Sequence, residues 1–308
     1  MINKIVAVQG NHPSKLNPIT DTSVFLASEI QSKNYEIFYY DPKDLSVINS
    51  KVIASGFFIK FDYSKKNFFK IHKRQKLNLT KCKFILIRQD PPFNLEYISA
   101  TYILDTIKDK VKILNNPTAI RNVSEKLFSV KYQKYMPSTI FSQNIDEIKK
   151  FFKNHKKIIL KPIHSYGGND IHLLNKFNSK LISQFIKKHD HIMCQKFLPK
   201  ISKGDKRVFL INGKVCGAIS RVPKKGSFLS NMSKGAKPIS IQLTKTENKI
   251  SKLIAKDLKK ENIFFAGIDF IDQKLNGDIN VTSPTGLKTL YDLTGINLAK
   301  TFWKNLGI

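Results

Sequence analysis

The chain has 308 residues, 41% of them hydrophobic, with ordinary glycine and proline usage, which bounds a globular protein holding one large core or two to three lobes. Its 53 lysines and arginines outnumber 23 acidic residues for a net charge of +30, a balance that raises nucleic acid or an anionic membrane as partner. The lysines are nevertheless spread over helix surfaces such as Lys149-Lys150, Lys187-Lys188 and Lys259-Lys260, with no basic arm and no arginine-aromatic interleaving, so only nonspecific polyanion binding at low salt is expected.

In chain order, the first 120 residues alternate short apolar runs (Ile5 to Val8, Glu36 to Tyr40, Phe84 to Ile87, Val111 to Leu114) with amphipathic stretches (Val24 to Ile30, Tyr97 to Ile107). This βα alternation predicts a parallel sheet. Thr20, Asp21, Thr22 and Ser23 supply side-chain oxygens to cap the first helix, and Asp146 with Glu147 marks the start of a helix running to Phe152. Residues 121–200 read as a helix through Lys126, a strand ending at Lys161, a glycine turn, a strand, a helix and the strand His191 to Gln195. Residues 201–308 carry strands at 206–211, 214–220, 263–271 and 277–281. The fold class is therefore α/β with α+β lobes, divided at 1–120, 121–200 and 201–308. Ile5 to Val8 is too short for a secretory apolar region, and the run Phe264 to Ile271 contains Asp269 and cannot span a bilayer, so a cytoplasmic protein is expected. Cys82, Cys194 and Cys216 lack CxxC spacing and read as small buried filler in strand-like runs.

The chemistry concentrates late in the chain. Gly267-Ile268-Asp269-Phe270-Ile271 and Gly277-Asp278-Ile279-Asn280 would place the oxygens of Asp269, Asp278 and Asn280 at the ends of two adjacent strands, a donor set suited to magnesium bridging to nucleotide phosphates. Lys126 and Lys161 add cations for a triphosphate. The turn His164-Ser165-Tyr166-Gly167-Gly168-Asn169-Asp170 lets backbone N–H groups approach phosphate oxygens; a Gly-Gly alone reads as an ordinary hairpin turn, but Lys161 just before it favours a flap over phosphates. Arg207 and Arg221 suit bidentate contact with a phosphoryl group, with surface ion pairing as the alternative. His164 and His172 have no acidic or cysteine partners in the pattern and are not read as metal ligands.

The runs Ile87-Arg88-Gln89-Asp90-Pro91-Pro92-Phe93, Ala100 to Leu104, Asn122 to Phe128, Gly204-Asp205-Lys206-Arg207-Val208 and Asp278 to Thr285 resemble the prokaryotic glutathione synthetase family of the ATP-grasp superfamily, nearly end to end and in the family's order. The resemblance implies an ATP-grasp fold preceded by a parallel-sheet domain. It implies ATP contacts at Lys126, Lys161, Gly167, Gly168, Gln195, Lys196, Phe197, Leu198 and Asp205, with Gln195 to Leu198 as the adenine hinge. Substrate contacts fall at Asp21, Asn231, Ser283, Pro284 and Thr285, metal ligands at Asp269, Asp278 and Asn280, and catalytic arginines at Arg207 and Arg221. The implied reaction joins γ-glutamylcysteine to glycine through an acyl phosphate, with ATP as co-substrate and Mg2+ or Mn2+ as cofactor, in a cytoplasmic homo-oligomer that engages neither a membrane nor a specific nucleic acid.

The polar stretch Pro223 to Pro238 reads as a lid that excludes water from the intermediate, or as a plain loop. Within it, Leu229 stands where the family usually has arginine, and Lys288-Thr289 replaces an arginine-glutamate pair. Leucine cannot pair a carboxylate, and lysine lacks the bidentate fork of arginine. Another ATP-grasp ligase, with a different acid or amine, is the alternative reading.

Overall fold

The computed structural model describes residues 4–63, 65 and 67–308. Strand β1 (Ile5–Gln9) leads through helix α1 (Thr22–Gln31) to β2 (Glu36–Tyr40), and Asp21 caps α1 by accepting from the Val24 N–H at 2.8 Å. The following segment forms strands that the βα reading missed: β3 (Leu45–Ile48), β4 (Lys51–Phe61), β5 (Phe69–Ile71) and β6 (Gln75–Asn78). Asn49 and Ser50 both take positive φ between Ile48 and Lys51, which closes β3 and β4 into a two-residue hairpin. The sheet then continues through β7 (Phe84–Ile87), α2 (Leu95–Asp105) and β8 (Lys112–Leu114), and α3 (Pro117–Asn122) follows.

The strand order is β3-β4-β2-β1-β7-β8, with β5 and β6 also on β4. Strands β2, β1, β7 and β8 are parallel, whereas β4 runs antiparallel to β2, β3, β5 and β6. The sheet is thus mixed rather than parallel, because the hairpin returns the chain beside β2 with no crossover helix.

Helix α3 stops at Asn122, so no helix runs through Lys126. The Glu125 carbonyl instead accepts the Ile279 N–H at 2.9 Å, which draws the Ser124-Glu125-Lys126 turn onto the late β-structure, and a 3-10 segment (Leu127–Tyr135) follows. Next come β9 (Thr139–Ser142), α4 (Ile145–His155), β10 (Ile158–Pro162), β11 (His172–Leu174), α5 (Ser179–His189) and β12 (Ile192–Lys196), forming an antiparallel sheet in the order β11-β10-β12-β9. On its covered face Ile158, Leu160, Ile192 and Cys194 meet α4 and α5; on the other, Lys161 and Gln195 face the opposite way by strand alternation.

The last sheet has the order β15-β14-β13-β16-β17, built from β13 (Asp205–Ile211), β14 (Lys214–Val222), β15 (Lys237–Ser240), β16 (Phe265–Ile271) and β17 (Lys274–Asn280), with α6 (Lys245–Lys260), α7 (Leu287–Thr294) and α8 (Leu298–Lys304). Strand β15 pairs with Ile219 to Val222, so the end of the polar stretch after Pro223 is a sheet edge rather than loop. Val208, Leu210, Ile268 and Ile279 bury against α6, while Phe209, Ile211, Ile219 and Phe265 join α7, α8 and the first sheet in one continuous core. Trp303 seals that junction, its indole N–H donating to the Leu26 carbonyl at 2.9 Å. Asn115 supplies a second joint: its amide donates to the carbonyls of Phe265 and Val281, both at 2.7 Å, and accepts from the N–H groups of Phe264 and Phe265, both at 2.8 Å. Of the cysteines, Cys194 lies in β12 and Cys216 in β14, but Cys82 follows a 3-10 turn outside any strand.

Candidate functional site

A cavity of about 750 Å³ opens between the middle and last sheets and reaches the first. Its floor is a consequence of strand alternation. Asp205 and Arg207, two apart on β13, share a face with Arg221 on β14 and Asp269 on β16, and the register sets Asp205 opposite Arg221 and Arg207 opposite Asp269. Farther along β13 the same face turns apolar at Phe209 and Ile211, so one strand serves the site at one end and the core at the other.

All four of these side chains are buried. Arg207 donates to Asp269 through Nε at 2.5 Å and Nη2 at 2.8 Å; Arg221 donates through Nε to Asp205 at 2.7 Å and places Nη2 2.9 Å from Asp269 Oδ2. Burial alone would raise the Asp269 carboxyl, but the two guanidinium groups hold it well below the ordinary carboxylate range. Asp269 lies inside β16, not at the strand end: its pairing with β17 shifts register there, while the ladder to β13 runs unbroken and keeps it opposite Arg207.

Asp278, on the neighbouring β17, lies between two ammonium groups: Lys126 Nζ at 3.4 Å and Lys161 Nζ at 3.3 Å. Lys161 also donates to the carbonyl and the side-chain oxygen of Asn276, each at 3.0 Å, and Lys126 donates to the Ser165 carbonyl at 3.0 Å. Burial opposes ionisation of Asp278, but the two lysines overcome it and lower its pKa. For Lys126, Asp278 and Glu125 overcome burial and raise it.

The donor set suits a hard divalent cation. The Asn280 Oδ1 atom is buried with no hydrogen-bond partner among the described residues, an arrangement that costs free energy unless a cation or water meets it. Asp269 accepts three arginine contacts, leaving part of the capacity of its two oxygens, and Asp278 faces the same cavity.

Around this floor, Gly167 and Gly168, both at positive φ, line the cavity with Gln195, Lys196, Phe197 and Leu198. Gln195 is buried and donates to Thr139 Oγ1 at 3.0 Å, and the Phe197 N–H is held by the Lys157 carbonyl. Asp21, Asn231, Ser283 and Thr285 also line it. Pro284 does not: its carbonyl accepts from Arg88 Nη2 at 3.0 Å.

That contact identifies residues to which the sequence reading gave no part in the site. Buried Arg88 also donates to Ser23 Oγ at 3.0 Å and its carbonyl accepts from Ser283, so it ties the first sheet to the loop after β17. Thr22 Oγ1 continues the tie by accepting from the Gly286 N–H at 3.1 Å. Asp90, Glu125 and Asn276 also belong to the polar lining. Burial pushes the Glu125 carboxyl up against the pull of Lys126. Arg88 and Asp90 lie in the Ile87 to Phe93 run and Glu125 next to Lys126, so the available signal was adjacency to segments already singled out.

The departures from the family pattern separate in space. Leu229 and Thr289 line the cavity, whereas Lys288 turns away to pair with Asp292 one turn along α7.

Two family models match the chain: prokaryotic glutathione synthetase, N-terminal domain, over residues 5–121, and prokaryotic glutathione synthetase, ATP-grasp domain, over residues 125–295. Among curated proteins, a glutathione synthetase of Agrobacterium fabrum is 33% identical over 304 residues, covering 97% of this chain and 95% of its own length. One of Brucella melitensis is 34% identical over 304 residues, covering 97% and 96%. Among solved structures, D-alanyl-alanine synthetase A from Vibrio cholerae superposes with a TM-score of 0.64 at 14% identity, covering 100% of this chain and 98% of that one, a likeness of fold.

Proposed function

Because the chain belongs to the prokaryotic glutathione synthetase family, we propose that its cavity joins the cysteinyl carboxylate of γ-glutamylcysteine to the amine of glycine at the expense of ATP. It is an ATP-dependent ligase that forms C–N bonds. The observation that carries the residue-level reading is the meeting of Asp278, the two lysines and the Asp269–Arg207–Arg221 cluster in one cavity.

A carboxylate is a poor acyl donor because its leaving group would be oxide. In the proposed reaction its oxygen attacks the γ-phosphorus of ATP, the bond to ADP breaks, and an acyl phosphate results. The glycine amine then attacks the carbonyl carbon, inorganic phosphate leaves, and the amine proton passes to solvent. Lys126 and Lys161 would neutralise the phosphate chain, and the glycine turn would cover it. Arg207 and Arg221, already fixed by Asp205 and Asp269, would meet the charge that develops on the phosphoryl oxygens and the tetrahedral adduct without reorganising. Asp269, Asp278 and Asn280 would hold Mg2+ or Mn2+, which screens phosphate charge when bound. Gln195 to Leu198 would receive adenine; Asp21, Asn231 and the Ser283 to Thr285 loop, braced by Arg88, would receive the acid and amine.

Apolar Leu229 and neutral Thr289 on the lining, with Lys288 held by Asp292, favour a second reading in which the same ATP chemistry serves a different acid or amine. The test is purified protein with ATP, Mg2+, γ-glutamylcysteine and glycine, followed for phosphate and tripeptide. Nearly equal amounts of both are expected, with a small excess of phosphate. Phosphate release only with some other acid and amine would replace this substrate assignment with the second reading.

Among the described residues no helix is long and apolar enough to cross a membrane. A cytoplasmic homo-oligomer is our expectation, and light scattering of the purified chain would measure its mass.

A further inference from the structure

We propose that Lys234 and Asn169 form a latch that holds the loop at 223–236 against the glycine turn and, through Ser165, against Lys126, so that the activated acid meets the amine before it meets water. Lys234 Nζ donates to Asn169 Oδ1 at 3.0 Å. The loop also fits the turn sterically: a methyl group built on Gly168 would lie 2.3 Å from Asn231 Oδ1 and 3.7 Å from Leu229 Cδ2. A side chain at position 168 would push the Asn231 amide away, and the φ of +74° at Gly168 itself favours glycine.

The contact continues inward. The Asn169 carbonyl accepts from Ser165 Oγ at 3.0 Å, and the Ser165 carbonyl accepts from Lys126 Nζ at 3.0 Å, the ammonium that faces Asp278. Lys188 holds neighbouring Asp170 at 2.7 Å, which anchors the far end of the turn to α5. One chain of hydrogen bonds therefore runs from the loop to a phosphate-site lysine.

This inference rests on the ligase reading and assigns Lys234 and Asn169 a positioning role, since both act through other residues. If the latch opens after phosphoryl transfer, water can add to the carbonyl carbon of the acyl phosphate. The bond between that carbon and the phosphate oxygen breaks, phosphate departs, the water proton goes to solvent, and ATP is consumed with the acid regenerated and no amide formed.

The test reads, in the full-length protein, the phosphate released in excess of amide as a ratio to the amide formed. Asn169→Ala and Lys234→Met should each raise that ratio roughly two- to fivefold, the low end for one hydrogen bond, because this contact is solvent-exposed. The double variant should be no worse than either single one, because both remove the same contact. Asn169→Asp, which keeps an acceptor for Lys234, should keep the wild-type ratio. Independently, Asn169→Ala should speed tryptic cleavage after Lys224 and Lys225 by a similar factor in the presence of a nonhydrolysable ATP analogue and Mg2+. Unchanged ratio and cleavage in the variants, or additive effects on the ratio, would overturn the latch. If wild-type protein makes no tripeptide, the substrate assignment fails and the cleavage measurement alone decides the latch.

Discussion

Asp278 meets two lysines that would otherwise repel each other, and its removal would leave both cations without the carboxylate they share. Asp278→Ala is expected to lower turnover roughly a thousandfold while leaving the fold intact by circular dichroism, since losing the proposed metal ligand would remove several kcal/mol of charge stabilisation. Wild-type turnover in that variant would refute the metal assignment. Asp105 illustrates a carboxylate whose role is structural: burial opposes its ionisation, but hydrogen bonds from Arg121, Thr118 and Lys108 hold its pKa below the ordinary value. A depressed folded-state pKa adds stability above the unfolded-state value, and that contribution disappears as pH falls through the folded-state value. The stability gap between wild type and Asp105→Asn, measured by urea unfolding, should therefore be present at pH 7 and shrink below about pH 4.

At the scale of elements, the site depends on edges being held in register by groups remote from the chemistry. Asn115 joins the end of β8 to β16 and to the residue after β17 through four hydrogen bonds. Asn115→Leu would leave two carbonyls and two N–H groups buried without partners, a cost on the order of 3 kcal/mol or more. Urea unfolding should show that loss, with nucleotide affinity falling as β16 and β17 separate. The strands and helices with a clear period were legible in the sequence: β2 and β7 fall where the apolar runs placed them, and Asp21 caps α1. Strands β3 to β6 were not, because their partners are supplied by a hairpin whose Asn49-Ser50 turn carries no glycine. The Lys126 turn was misread as helix because the bond that claims the Glu125 carbonyl comes from Ile279, far along the chain.

For the whole molecule, one apolar core crosses from the first sheet to α7, α8 and the back of the last sheet, with Trp303 at its centre. Trp303→Ala should cost about 3–5 kcal/mol and leave the Leu26 carbonyl without its donor. A single unfolding transition, shifted as a whole, is the expected signature; loss confined to one half of the signal would show that the sheets are not coupled through this core. The charge of +30 acts at the same scale, and retention on a polyanion column should vanish by about 200 mM salt while ligase turnover persists.

The sequence by itself determined which oxygens, lysines and arginines are available, because residue type sets charge, donor capacity and strand face, and its ordered motifs identified the family. Only the tertiary structure decided their partners: Arg207 with Asp269, Arg221 between two aspartates, Asp278 between two lysines, and Arg88 on the loop after β17. Each pairing joins segments distant in the chain, and a period of two or 3.6 residues fixes the direction of a side chain without fixing what stands opposite it.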